Sequence, residues 1–333
     1  MARPNLVVTR TPFRVSFAGG GTDLPGFYEQ EYGAVLSTTI DKYLYVTVKR
    51  HGELFDHPIR LNYSETEMVL RVEDLRNQIA RESLRFLHVE PPIYISTVAD
   101  IPESSGLGSS SSFAVGLLNA LHAFRGERVS AGQLAEEASH IEVNVLKRPV
   151  GKQDHYAAAF GGLNFFCFKP GGSVTVEPQR MAEGVLERLF DHTMMLWTGI
   201  RRDAAGILQE QFRDTPQKRP ELQAMREHAH RLQAMMSNGF DPLAFGRILD
   251  ETWQLKRQMA STVTNDRIDG WYAHAKAAGA VGGKICGAGG GGFLLLLMPP
   301  ERRPAVREAL RELIEMPIRY EAQGSRVLLP FVE

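Results

Sequence analysis

Residues 102–112, Pro-Glu-Ser-Ser-Gly-Leu-Gly-Ser-Ser-Ser-Ser, lie between a strand-like run at 93–98 and a strongly helical run at 113–124. A glycine-serine turn in that position is a phosphate cradle. Gly106 and Gly108 let the backbone turn where a side chain would clash. The serines bring hydroxyls and free N–H groups to a helix N-terminus, where the macrodipole favours an anion. Phe113, Leu117, Leu121 and Phe124 recur at steps of four, four and three, so the helix carries an apolar stripe that anchors the turn to a core. A flexible Ser/Gly linker needs neither the strand before it nor the amphipathic helix after it.

A chain of 333 residues has the length of about two domains and can bury substantial cores. Its 38 basic and 39 acidic residues nearly cancel, so no global field recruits nucleic acid or an anionic membrane, and any cationic site is local. The longest purely apolar run, 293–298, is far too short to span a bilayer, and residues 1–5 hold no apolar signal core; both features predict a cytoplasmic protein. Cys167 and Cys286 are far apart and lack a CxxC partner, which argues against structural zinc and a disulfide framework; both are expected to be buried.

Hydrophobic and β-branched patterning predicts extended segments at 6–10, 14–18, 35–39 and 43–49, then a helix at 72–87 with Leu75, Ile79, Leu84 and Leu87 inward. Ser130 is expected to cap a helix, with Gln133 reaching back in a capping box and Leu134, Ala138, Ile141 and Val145 following before Pro149. A short helix at 152–159 stops at Gly161-Gly162, and 163–168 resumes as strand. After Pro170-Gly171-Gly172 a strand at 194–198 opens a second domain. Its helices are expected at 204–212, 220–237, 242–260, 266–278 and 304–314, with strands at 293–298 and 327–330. Strands and helices thus alternate in both halves of the chain.

Two further glycine-rich loops stand out. Gly19-Gly20-Gly21-Thr22-Asp23 follows a strand, permits close backbone approach and then offers a carboxylate. Gly287-Ala288-Gly289-Gly290-Gly291-Gly292 satisfies GxGxxG formally, yet it precedes a strand and has no suitable acid about twenty residues on, so it is no dinucleotide fingerprint. A GxxxxGK[ST] P-loop is also missing. Two acids have unusual settings: Glu142 borders its helix's apolar stripe, and Asp154 is followed by the small residues Ala157 and Ala158 at i+3 and i+4.

The phosphate turn PxxxGLGSS, an acid about thirty residues on, GKQD shortly after and a late GAGGGG loop together resemble the GHMP kinases, along nearly the whole chain. Within them, RTPFRVSFAGGGTDLPGFY, VGKQDHYAAAFGGLN, WTGIRRDA and GGKICGAGGGGFLLL look most like bacterial D-glycero-D-manno-heptose 7-phosphate kinases. Such enzymes phosphorylate the anomeric hydroxyl and feed nucleotide-activated heptose into capsule, lipopolysaccharide or S-layer glycan synthesis. The galactokinase segment GEHTDY is replaced here by Ala18-Gly19-Gly20-Gly21-Thr22-Asp23, which counts against galactose. The resemblance implies a two-domain α+β fold: an N-terminal ATP-binding domain, residues 1–185, like the second domain of ribosomal protein S5, with a left-handed crossover, and a ferredoxin-like C-terminal domain, residues 186–333.

The resemblance also implies roles. Ser104, Ser105, Gly106, Leu107, Gly108, Ser109, Ser110 and Ser111 would hold the ATP phosphates. Ser109 or Ser110, with Glu142, would bind Mg²⁺, a hard cation suited to hydroxyl and carboxylate oxygens. Asp154 would take the proton of the acceptor hydroxyl, and Arg14, which does not readily lose its own proton, would be its electrostatic partner. Gly20, Gly21, Thr22 and Asp23 would meet the sugar, with Gly287, Ala288, Gly289 and Gly290 closing over it. Lys152 and Arg202, with Lys147, Arg148, Arg201 and Lys284 as further candidates, would supply cations for a distal phosphate, and Tyr63 is a candidate for the adenine pocket. The substrate is thus a small sugar phosphate, with no nucleic-acid or membrane partner, and homo-oligomerisation stays open. Two rivals remain: a fucose-type or other sugar kinase on the same scaffold, and a sensor that binds ATP and sugar without turnover.

Overall fold

The computed structural model describes residues 4–52, 54–201, 206–207, 209–210, 213 and 217–331. The segments expected at 6–10 and 14–18 join into one strand, β1 (Leu6–Ala18), and those at 35–39 and 43–49 into β2 (Gly33–Arg50). Pro12 does not break β1 because the β1–β2 register shifts between Pro12 and Phe13, and an irregularity is where a sheet tolerates a missing N–H. One edge of β2 runs along β1. The other is shared by β5 (Ile93–Ala99), beside its C-terminal half, and β6 (Leu163–Phe168), beside its N-terminal half. Short strands β3 (Ile59–Asn62), β4 (Thr66–Val69) and β7 (Val174–Pro178), which periodicity does not reveal, complete an eight-stranded sheet with the C-terminal strand.

Helices cover one face of this sheet. The expected helix at 72–87 is a 3₁₀ turn at Val72–Asp74 followed by α2 (Gln78–Phe86), after the short α1 (Pro25–Tyr28); Asn77 Oδ1 accepts from Ala80 N and fixes the start of α2. Leu75, Ile79, Leu84 and Leu87 are buried as expected. Helix α3 (Ser109–Phe124) begins four residues before the expected 113, so the serines form its first turn. Ala114, Val115 and Leu118 are buried along with the predicted stripe. The helix is therefore apolar all round, packed between β1, β2 and the neighbouring helices. Helix α4 (Ala131–Ser139) is capped by Ser130, which accepts from Gln133 N (3.1 Å), but Gln133 Nε2 turns to Glu137, so only half of the expected capping box forms. Beyond it His140–Val145 is a π turn that buries Ile141 and Glu142 and leaves Val145 exposed, against expectation. The extra residue per turn swings Glu142 inward. Helix α5 (Gln153–Phe160) follows.

After α6 (Val185–Asp191) the chain builds a second, antiparallel sheet. Its order is β11 (Ile314–Glu315), β8 (Thr193–Trp197), β10 (Phe293–Leu297), β9 (Gly282–Ile285). Helices α7 (Arg219–Asn238), α8 (Pro242–Lys256), α9 (Asp266–Ala277) and α10 (Arg303–Ala309) accompany it; α7 packs on β1 and β2, and α8 on β9. Residues 310–314, expected to extend the last helix, lie beyond α10, with Ile314 in β11. Of the helix expected at 204–212, residues 206, 207, 209 and 210 are described and are helical, and the others lie outside the described residues. Strand β12 (Arg326–Phe331) pairs antiparallel with β1, so the stretch 186–333 returns to the first sheet at its end. Cys286 is buried and Cys167 only half-buried, and neither is in a disulfide among the described residues. No helix among the described residues is long and apolar enough to cross a membrane.

Candidate active site

The phosphate turn is tied to both sheets. Arg14 N–H donates to Leu107 O (3.1 Å) just past the irregularity in β1, and Phe293 N–H at the start of β10 donates to Ser105 O (3.2 Å). Gly108 at φ +81° passes so close to Arg14 and Asp154 that a Cβ would lie 3.4 Å from Asp154 Oδ2. The turn, the loop at 19–23, the segment 148–154 and the turn at 287–288 surround one cleft of about 470 Å³.

At its floor Arg14 and Asp154 form a fork: Arg14 Nε donates to Oδ1 (2.6 Å), Nη2 to Oδ2 (2.5 Å), and Nη1 to Gly106 O (2.8 Å). Burial opposes the Arg14 charge, but Asp154 outweighs it and holds the guanidinium above its ordinary pKa. Asp23 is nearly inaccessible. It accepts from Gly21 N and Gln153 Nε2 on Oδ1 and from Gln153 N on Oδ2, while burial and then the nearby Asp154 charge push its pKa up to about 6. Gln153 Oε1 also accepts from Ser16 Oγ (2.7 Å), so one side chain fastens β1, the 19–23 loop and α5 together.

Glu142 lies at the other end of the cleft. Oε1 accepts from Ser110 Oγ (2.6 Å) and Arg148 Nη1 (2.9 Å), and Oε2 from His155 Nε2 (2.8 Å) and, more weakly, Ser111 Oγ (3.4 Å). Burial raises its pKa, yet His155, Ser110 and Arg148 more than offset this and bring it to about 2. An ionised carboxylate beside a helix-N-terminal hydroxyl is the hard-oxygen donor set that Mg²⁺ accepts, with phosphate oxygens and water filling its other positions. No cluster of three or more His, Cys, Asp or Glu side chains suited to a metal occurs among the described residues. Of the two serines predicted, Ser110 contacts Glu142, and Ser109 lines the cleft beside it.

Other predicted residues fall elsewhere. Thr22 is fully buried: its Oγ1 donates to Gly19 O and accepts from Ala34 N, so it shapes the loop and is off the cleft wall. Lys152 turns away to Glu136 and Gly172 O in a separate hollow beside Tyr28. Ser104, Gly106, Gly108, Ser109, Ser110, Ser111, Gly20, Gly21, Asp23, Gly287 and Ala288 line the cleft, whereas Ser105, Leu107, Gly289 and Gly290 do not; Gly290 N–H is spent on Val263 O. Arg202 lies outside the described residues, and Lys147 and Arg201 are exposed and off the cleft wall. Arg148 sits at the Glu142 end. Tyr63 is on the β3–β4 hairpin, donating to Glu67, and not in the cleft.

Sequence reasoning missed His155, Gln153 and Lys256, while Lys284, expected as a candidate cation for the distal phosphate, does line the cleft. Lys284 Nζ crosses from β9 to donate to Ser16 O (2.7 Å) and Phe17 O (3.1 Å) of β1, and burial pulls its pKa down to about 8. Lys256, in the last turn of α8, donates to Ile285 O and Gly287 O beneath the 287–288 turn and lines the cleft. A polar residue on a helix face otherwise filled with alanines, as at His155, is a signal that a buried partner exists.

Against known proteins, residues 71–162 match the GHMP kinases N terminal domain and residues 232–315 the GHMP kinases C terminal domain. A D-glycero-alpha-D-manno-heptose 7-phosphate kinase of Campylobacter jejuni is 31% identical over 297 residues, 84% of this chain and 86% of the relative. The chain belongs to the GHMP kinases. It is accordingly a phosphotransferase of the two-domain α+β GHMP kinase fold. Among solved GHMP kinase-fold structures, a D-glycero-D-manno-heptose 1-phosphate kinase from Bacteroides thetaiotaomicron superposes with a TM-score of 0.78 at 25% identity, covering 97% of this chain and 99% of that one. A Lactococcus lactis galactokinase superposes at 0.74 with 17% identity, covering 96% and 95%, which is likeness of fold alone.

Proposed function

We propose that this GHMP kinase transfers the γ-phosphoryl group of ATP to the anomeric hydroxyl of D-glycero-D-manno-heptose 7-phosphate, giving the 1,7-bisphosphate for surface-glycan precursors. The observation that carries it is the part-buried Arg14–Asp154 fork under the Gly108 turn: a carboxylate, a cation and a phosphate cradle meet in one cleft. In this reading Asp154 accepts the hydroxyl proton as the sugar oxygen attacks the γ-phosphorus and the bond to the departing ADP breaks. Arg14 is already tied on two sides, so it holds Asp154 in place and meets developing charge without reorganising. Glu142 and Ser110 would hold Mg²⁺, which when bound neutralises phosphate charge. The residues at 106–111 orient the nucleotide at the N-terminus of α3. Asp23, fixed by Gln153, faces the sugar.

The 7-phosphate rests on the Campylobacter relative's name and on a cation. Lys256 lies beneath the 287–288 turn, where the acceptor is placed, and is the group we assign to the acceptor's phosphate. The test compares heptose 7-phosphate with free heptose, mannose, fucose and galactose by ADP release. A site built around that phosphate disfavours the free sugar by on the order of 10²-fold or more in kcat/KM, and Lys256→Met should erase most of the preference. Equal turnover of a free sugar removes the heptose-phosphate assignment and leaves the kinase.

A further inference from the structure

Every lone-pair position of Glu142 is taken. A carboxylate offers about four such positions, and here Ser110, Arg148, His155 and Ser111 each direct a donor at one of them. A divalent cation can reach Glu142 only if one donor leaves. His155 is fully buried and locked in α5, and Ser111 is buried within α3. Ser110, which is exposed, can turn its hydrogen away and become a metal ligand, but the lone pairs this frees on Ser110 Oγ and Glu142 Oε1 still face the Arg148 guanidinium. Arg148, unlike the buried His155 and Ser111, has a side chain about one-third exposed (32%), and it stands on the loop after the π turn. Its Nη1 also reaches Ser110 Oγ (3.1 Å), so its guanidinium sits against both oxygens nominated for the metal.

We infer that Arg148 is a displaceable cap on the metal-binding face of Glu142: a divalent cation replaces its guanidinium there, and the released guanidinium turns to the nucleotide phosphates beside Ser110. This rests on Glu142 being the metal anchor of the proposed kinase. Metal alone must break a charge-assisted pair to bind. Metal arriving with nucleotide breaks the same pair but gives Arg148 a new anionic partner. Metal and nucleotide binding are therefore cooperative, and by linkage each tightens the other by one common factor. Arg148 is a positioning residue in this scheme, since it sets the order in which charges assemble and takes no proton.

Binding of Mn²⁺, read by electron paramagnetic resonance with and without a non-hydrolysable ATP analogue, tests this apart from activity. Arg148→Gln should bind Mn²⁺ alone on the order of tenfold more tightly, the size of one lost charge-assisted hydrogen bond. The factor by which the ATP analogue tightens Mn²⁺ binding should shrink to a similar extent. Lys147→Gln makes the same charge change next door on an exposed side chain and should move either quantity by less than about twofold, because an exposed charge is screened. Unchanged Mn²⁺ affinity in Arg148→Gln, or an equal gain in Lys147→Gln, overturns the cap. Glu142→Gln separates the two layers. Loss of Mn²⁺ binding there keeps the anchor whatever Arg148 does, and wild-type Mn²⁺ affinity there overturns the anchor and the cap with it.

Discussion

Asp154 and Glu142 are both carboxylates on the same cleft, and their partners give them different tasks. Glu142 is enclosed by four donors that keep it ionised to about pH 2, which suits a cation anchor. Among the described residues Asp154 hydrogen-bonds only to the Arg14 fork, and its side chain keeps 23% of its surface, so lone pairs remain for a substrate hydroxyl. Asp154→Asn keeps the volume and one acceptor oxygen for Arg14 but turns an amide towards the other guanidinium nitrogen. Losing a general base should lower kcat by about 10²–10⁴-fold, while stability falls by only about 1–3 kcal/mol, the cost of one compromised charged hydrogen bond. Calorimetry with nucleotide should find affinity close to wild type. Near-wild-type turnover at neutral pH would remove Asp154 as the base.

At the scale of elements, α3 delivers the serines and α4 with its π turn delivers Glu142, so the contact between these helices sets the site's width. His122, near the end of α3, clamps them: Nδ1 meets Glu127 and Nε2 meets Glu137 of α4, both at 2.7 Å. Burial lowers its pKa, but the two carboxylates more than compensate and raise it, while Glu137 is lowered in turn. A histidine with a raised folded pKa contributes stability that is complete below its unfolded value, near 6.5, and is lost as pH rises through the folded value. Urea midpoints of wild type should therefore fall relative to His122→Gln as pH climbs above about 6.5; a constant difference between the two would show that folding does not raise the His122 pKa. Such elements were unevenly legible. The strand–turn–helix around 106–108 and strand 163–168 could be read because punctuation and periodicity agree there. The merger of 6–10 with 14–18 could not, since Pro12 reads locally as a breaker and only pairing with β2 lets it be bridged. Glu142's inward aim was legible as a border position, yet its π turn arises from packing. Lys152 and Arg148, close in sequence, looked equivalent as cations and point to different hollows because the loop between them turns at Pro149 and Gly151.

For the whole molecule the question is what holds the two sheets at one spacing around the cleft. Gly292, at φ +84°, lies so close to the phosphate turn that a Cβ would sit 2.2 Å from Ser105 O, and Lys284 crosses from β9 to two carbonyls of β1. Lys284 is the part of this junction that carries charge. Burial, with Arg14 adding to it, brings its pKa down to about 8 from 10.5, which means the folded chain holds this proton less tightly than the unfolded chain does. Between those values the unfolded state binds more protons, so the contribution of Lys284 to stability grows with pH across the window and is lost as pH falls through 8. Deprotonation does not sever the junction, because a neutral amine still has two hydrogens for the Ser16 and Phe17 carbonyls. Lys284→Met removes the donors and the titration together. Its deficit relative to wild type should be smallest near pH 7 and widen towards pH 9.5, by at most about 1.4 kcal/mol per pH unit where the slope is steepest. Chemical-denaturation curves of both proteins at pH 7, 8, 9 and 9.5 measure it. A deficit that stays flat with rising pH would mean that Lys284 keeps its ordinary affinity for the proton and that the contact between the sheets leaves its ammonium in water, and one that narrows would mean that the folded chain holds this proton more tightly than the unfolded chain does.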